Sequence, residues 1–134
     1  MVETHVVTCF IEHETMILLL KRSGRVGSYQ QKWAGVSGHL ESGNTPLEQA
    51  LQELREEVNL QSYDISLQKE GVPLAVVDEK LGKTWVVHPF RFTLLDPSKI
   101  KTDWEHTEYR WISPDDIQMY ETVPNLLETW NRLK

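Results

Sequence analysis

The chain has 134 residues and a mass of 15.6 kDa, the size of one compact domain that can bury a core without disulfides. With 40% apolar and 25% charged residues it falls outside the collagen-like, coiled-coil and disordered classes. Fourteen basic against twenty acidic residues leave a net charge of -6 and a pI near 5.3. That balance excludes binders of nucleic acid polymers or anionic membranes that work through a basic surface, while a small anionic substrate stays open where metal ions offset the negative field.

The amino terminus, Met1-Val2-Glu3-Thr4-His5, lacks the basic start and long apolar run of a secretion signal. No apolar run approaches the roughly 20 residues of a membrane span, so the expectation is a cytoplasmic protein with no membrane partner. Val6 to Ile11 and Met16 to Leu20 read as strands, with the polar His13-Glu14 between them. Cys9, the single cysteine, lies in the first of these runs and reads as a buried thiol. Ser23 to Gln31 reads as a long exposed loop, and Lys32 to Leu40 as a short strand running into a glycine turn.

The clearest helix follows. Thr45-Pro46-Leu47-Glu48 combines an N-cap hydroxyl, a proline at the first helical position and a glutamate three residues after the cap. Leu47, Ala50, Leu51, Leu54 and Val58 recur at helical spacing and define a core-facing stripe. Asn59 is a terminator that tolerates a left-handed backbone. Further on, Ile65 to Val77 and Thr84 to Leu95 read as strands joined by a turn at Asp78 to Lys83, and Pro89 predicts an edge position or a strand end for the second. Glu108 to Ile112 reads as a short strand and Val123 to Leu133 as a final helix. No repeat or linker divides the chain. The pattern predicts an α/β protein with helices on a mostly non-parallel sheet.

On the central helix, Glu53, Glu56 and Glu57 stand at i, i+3 and i+4 within an arc of roughly 100°. Three acids this close repel one another unless cations neutralise them, and an all-oxygen cluster suits Mg²⁺ or Mn²⁺. For an arbitrary helix the alternative is a solvated acidic face. Among loop residues, Arg22, Arg25 and Lys32 flank the stretch before this helix and are candidates for phosphate contacts, Arg22 first among them. Tyr29 and Trp104 lie where a base could stack. Trp33 and Trp111 read as core, and His88 as a core or strand-edge histidine.

The segment from Gly38 to Leu60 resembles the signature of Nudix hydrolases. Gly38, Glu53, Leu54, Glu56, Glu57 and Leu60 fall at matching positions without insertion or deletion. Met16 to Arg22, Lys32-Trp33 and the run from Glu108 to Pro114 resemble further parts of the family, so the likeness covers nearly the whole chain. It implies one Nudix hydrolase domain over residues 1–134, folded as an α/β/α sandwich around a mixed β-sheet. It also implies a pyrophosphohydrolase that cleaves a nucleoside diphosphate linked to another moiety, of nucleotide or sugar-nucleotide class, with Mg²⁺ as cofactor and Mn²⁺ as an alternative. A homodimer is a partner form common among relatives.

By position, the resemblance makes Glu56 and Glu57 metal ligands, and Glu53 a third ligand or the group that orients the attacking water. A main-chain carbonyl near Ser37 or Gly38 completes the shell. The family often draws its general base from a later loop, where Glu105 and Glu108 are the candidates. Three positions depart from the signature: Asn44 replaces its first Glu, Gln52 its Arg and Asn59 its Gly. Asn59 preserves the left-handed helix end. Asn44 and Gln52 together remove one acid and one cation, a charge-balanced loss that leaves a neutral hydrogen-bonded pair in their place. They also motivate the rival reading of a nucleotide-binding sensor domain without catalysis. A third reading keeps metal and fold but acts on a non-nucleotide diphosphate.

Overall fold

The structure is a computed structural model that describes residues 2–134. In chain order its elements are β1 (Val2–His13), β2 (Met16–Arg22), β3 (Trp33–Ala34), β4 (Val36–His39), α1 (Pro46–Val58), β5 (Ile65–Glu70), β6 (Leu74–Asp78), β7 (Lys83–Leu94), β8 (His106–Ile112) and α2 (Leu126–Asn131). Short 3-10 turns precede β5, follow β7 and follow β8.

β1 and β2 form a hairpin through Glu14 and Thr15, whose φ angles of 48° and 68° give a turn that matches the strands' twist. Beyond the hairpin the two strands diverge, and the segment 33–39 fills the wedge. Trp33 and Ala34 pair with β2, and Val36 to His39 pair antiparallel with β1. Gly35 sits at this change of partner, where a Cβ would lie 2.7 Å from the Cys9 carbonyl oxygen. On its other side β1 runs parallel to β7, from Val2 opposite Lys83 to Glu12 opposite Thr93. β5 and β6 pair antiparallel with β7, and β8 with β2, which completes a mixed eight-stranded sheet.

Alternation along these strands builds a core on each face. Val7, Cys9, Ile11, Leu18, Leu20, Phe90 and Phe92 face Ala50, Leu54 and Val58 of α1. Phe10, Ile17 and Leu19 face Leu126 and Trp130 of α2 and Leu133 just beyond it. Each fully buried leucine here contributes about 1.5–3 kcal/mol relative to exposure. The expected α/β/α sandwich around a mixed sheet is the observed architecture.

Three local expectations need correction. The stretch from Ile65 to Val77 is two strands, broken at Gly71-Val72-Pro73. Pro89 is central, not at an edge or strand end, because β7 is flanked by β1 and by β5 and β6. It is tolerated because its carbonyl accepts from Gly71 N (2.9 Å) at the gap where β5 gives way to β6, so its missing N–H faces no ladder acceptor. The final helix is shorter than Val123 to Leu133: Thr122 bridges Trp33, Val123 N donates to Trp33 O (3.0 Å), and Asn125 turns left-handed before Leu126.

Gly35→Ala drives a methyl into the Cys9 carbonyl and is expected to cost about 1–3 kcal/mol. Gly27→Ala enters open space and stays within about 0.5 kcal/mol of wild type. Equilibrium denaturation of both variants checks the contrast, and equal losses would refute the wedge packing at Gly35.

Candidate functional site

Both ends of α1 lock its rotation. Thr45 Oγ1 accepts from Glu48 N (3.1 Å) while Thr45 N donates to Glu48 Oε1 (2.8 Å), the capping box read from sequence. At the other end Asn59 is left-handed (φ 61°) and its N–H donates to Leu54 O. With Leu54 and Val58 held in the core, Glu53 and Glu57 are turned toward the sheet. Gly38 of β4 makes this approach feasible, since a Cβ there would overlap the Glu53 carboxylate.

Glu57 is the deepest acid, 2% exposed, and its Oε2 has no hydrogen-bond partner. Burial pushes its carboxyl well above the ordinary carboxylate range, and neighbouring Glu53, Glu105 and Asp103 push it further. His106 Nε2 lies 3.6 Å from Glu57 Oε1. Burial holds that imidazole below its usual value, so it supplies no full positive charge at neutral pH. Glu105 is also raised, by burial and then by Asp103 and Glu53. No permanent cation among the described residues bonds directly to this cluster, and its donors are the oxygens that hard divalent ions prefer. Among the described residues, no group of three or more Asp, Glu, His or Cys side chains is drawn together so that it could hold a metal ion as it stands.

A chain of side-chain amides supports the acids. Gln49, fully buried, donates from Nε2 to Glu53 Oε1 (2.9 Å) and accepts at Oε1 from Glu41 N (3.0 Å) and Asn44 Nδ2 (2.9 Å). Asn44 Nδ2 also donates to Gln52 Oε1 (3.2 Å). Gln52 Nε2 in turn donates to Glu41 Oε2 (2.9 Å) and Glu56 Oε1 (3.1 Å).

Glu41, Glu53, Glu56 and Glu105 line a cavity of about 520 Å³ that Tyr29, Val76 and Trp85 line as well. Gly38, Arg22 and Trp104 line it as well. Arg22 donates from Nε and Nη2 to Ser28 O (3.1 and 2.9 Å), which ties the 23–31 loop to β2. Tyr29 donates its hydroxyl to Asp78 Oδ2 (2.5 Å) and accepts from Trp85 Nε1 (2.9 Å). Burial and the bond to Asp78 push the Tyr29 hydroxyl up to about 12, so it stays protonated. Trp104 is 54% exposed at the rim, with the Arg25 guanidinium 5.5 Å above its ring.

Of the two candidate bases, the fold brings only Glu105 to the cavity. Glu108 lies on β8 opposite Lys21, exposed and 4.0 Å from Arg110 Nη2. Sequence reasoning missed Glu41, Gln49 and Trp85. Gln49 carried a signal, standing one helical turn before Glu53. Glu41 and Trp85 reach the site only through the folding of a loop and a distant strand.

The family model described as NUDIX domain matches residues 3–132. Solved structures share the fold at low identity. The MutT protein of Methanosarcina mazei superposes with a TM-score of 0.82 at 21% identity, over 98% of this chain and 93% of that one. A MutT NUDIX hydrolase from Burkholderia pseudomallei gives 0.78 at 15%, over 98% of each chain. An Ap4A hydrolase from C. elegans gives 0.77 at 18%, over 98% of this chain and 94% of that one.

Metal-free stability should reveal the strained acid. A carboxyl raised in the folded state stays protonated there while the unfolded chain ionises. Its stabilising contribution is therefore full below the unfolded value near 4.5 and is lost as pH rises through the raised folded value. Thermal melts in chelator should show wild type falling below Glu57→Gln as pH climbs from about 4.5 to 8. Parallel profiles would refute a raised Glu57.

Proposed function

The chain belongs to the Nudix family of diphosphate-bond hydrolases, and from that premise we propose that it is a Mg²⁺-dependent pyrophosphohydrolase of nucleotide-like diphosphates. The observation that carries the reading is Glu57, a buried acid with an orphaned oxygen, packed behind Glu53 and Glu105, which themselves line an acid-walled cavity. Aromatic and apolar side chains line the same cavity as those acids, so one pocket offers charged groups for a diphosphate and flat groups for a base.

Glu53, Glu56 and Glu57 would hold the divalent ion, with the Gly38 carbonyl as a main-chain ligand. The donor set fits: it is all oxygen, negatively charged and short of positive partners. When bound, the ion neutralises charge on the diphosphate and lowers the pKa of a coordinated water. Arg22, whose guanidinium feels Glu57 and Glu105, supplies fixed positive charge for a phosphate oxygen. Glu105, partly buried and with its proton affinity raised, accepts a proton from the attacking water. Glu53, which Gln49 holds in place, orients that water or serves as the third ligand. Tyr29 and Trp104 present ring faces to the base. Glu108 has no role here, since its side chain lies off the cavity.

The departures at Asn44 and Gln52 leave no hole. Their side chains bond to each other and the acids remain aimed at the cavity, which favours catalysis over the sensor reading. The substrate is proposed to be a small diphosphate, not a polymer.

A panel of nucleoside diphosphate derivatives with Mg²⁺ should release phosphate, pyrophosphate or a nucleoside monophosphate. Glu57→Gln should lose roughly 10²-fold or more in kcat, and Glu105→Gln a comparable factor, while Glu108→Gln stays near wild type. Ligand-induced thermal stabilisation without turnover would establish the sensor reading instead, and loss in Glu108→Gln alone would move the base.

A further inference from the structure

We propose that Asn44 and Gln52 act as one coupled positioning pair, which aims Glu53 and Glu56 at the cavity without adding positive charge to it. The proposal rests on the metal-assisted reading above and concerns how this chain supports its acids. Carboxylates accept and never donate, so the bonds have only one consistent polarity. Gln52 must turn its NH₂ toward Glu41 and Glu56, which leaves its oxygen for Asn44. Gln49 must turn its NH₂ toward Glu53, which leaves its oxygen for Asn44 and the Glu41 amide. Asn44 is therefore the shared donor that connects the two glutamines. The network also recruits Glu41, which stands at a position the signature leaves unspecified, as a cavity acid.

Two consequences follow from the charges. A guanidinium at position 52 would neutralise Glu41 and Glu56 permanently and compete with a divalent ion. The neutral amide keeps their geometry and leaves the full negative charge for that ion. At position 44, a carboxylate would set a third acceptor against Gln49 Oε1 and Gln52 Oε1 and join Glu41 in an uncompensated cluster. The carboxylate at 44 is then unfavourable by itself, the guanidinium at 52 offsets ion binding without loss of stability, and together they regenerate an ion pair.

The test is a double-mutant cycle with Asn44→Glu, Gln52→Arg and the combination, read in substrate-free protein. Both positions are half-buried near the surface, so all three variants fold. Asn44→Glu should lower the metal-free Tm by about 3 °C, and the double variant should regain more than the two single effects sum to. Gln52→Arg should weaken Mn²⁺ binding by about 3- to 10-fold in a calorimetric or paramagnetic titration. A merely structural amide would not change ion affinity in a variant that keeps its Tm.

Additive Tm effects, or unchanged Mn²⁺ affinity in Gln52→Arg, would overturn the proposal. If wild type binds no Mn²⁺, the metal reading fails and the Tm cycle alone decides the pairing. Because neither readout uses substrate, absence of turnover would sink the hydrolase reading and leave this one standing.

Discussion

The burial of Glu57 beneath Glu53 is the constraint around which the rest of the site is arranged. A carboxylate with 2% exposure and an orphaned oxygen is unfavourable in a folded protein unless something positive or protonated answers it. Among the described residues, no permanent cation answers it in direct contact. His106 is held neutral by burial, and Arg22 acts on Glu57 only through space while its hydrogen bonds go to Ser28. The negative charge is thus held in reserve, which is what a site for a hard divalent ion and a polyanionic substrate requires.

Holding such an acid in place takes rigid surroundings on several sides. The capping box and the left-handed Asn59 fix the rotation of α1, its apolar stripe seats it on β1 and β7, and the bare backbone of Gly38 lets Glu53 lie flat against β4. The amides of Asn44, Gln49 and Gln52 then fix the acids by hydrogen bonds rather than by opposite charge. The long parallel pairing of β1 with β7 ties in the strand that brings Trp85 to the cavity. Stability in the core and strain at the site are therefore parts of one arrangement.

The local features of the helix were legible in the residues themselves. Thr45, Pro46 and Glu48 mark its start, Asn59 its end, and the spacing of Leu54 and Val58 its buried face, because each depends on neighbours within a turn or two. Strand breaks were less legible. Ile65 to Val77 reads as one run although Gly71 and Pro73 interrupt it, and the end of the β5 pairing with β7 confirms the break there. Pro89 misled as well. A proline is excluded from a central strand only where its nitrogen faces an acceptor, and that depends on a partner strand whose pairing no local pattern records.

By itself the sequence determined which helix carries the acids and that Glu53, Glu56 and Glu57 share one side of it. These follow from helical periodicity and side-chain chemistry, which act over a few residues. Only the tertiary structure decided that Glu57 is buried and Glu56 exposed, that Glu105 and not Glu108 faces the cavity, and that Gln49, Glu41 and Trp85 belong to the site. Burial, desolvation and long-range hydrogen bonds depend on which strands meet. In this fold those meetings join residues as distant as Val2 and Lys83.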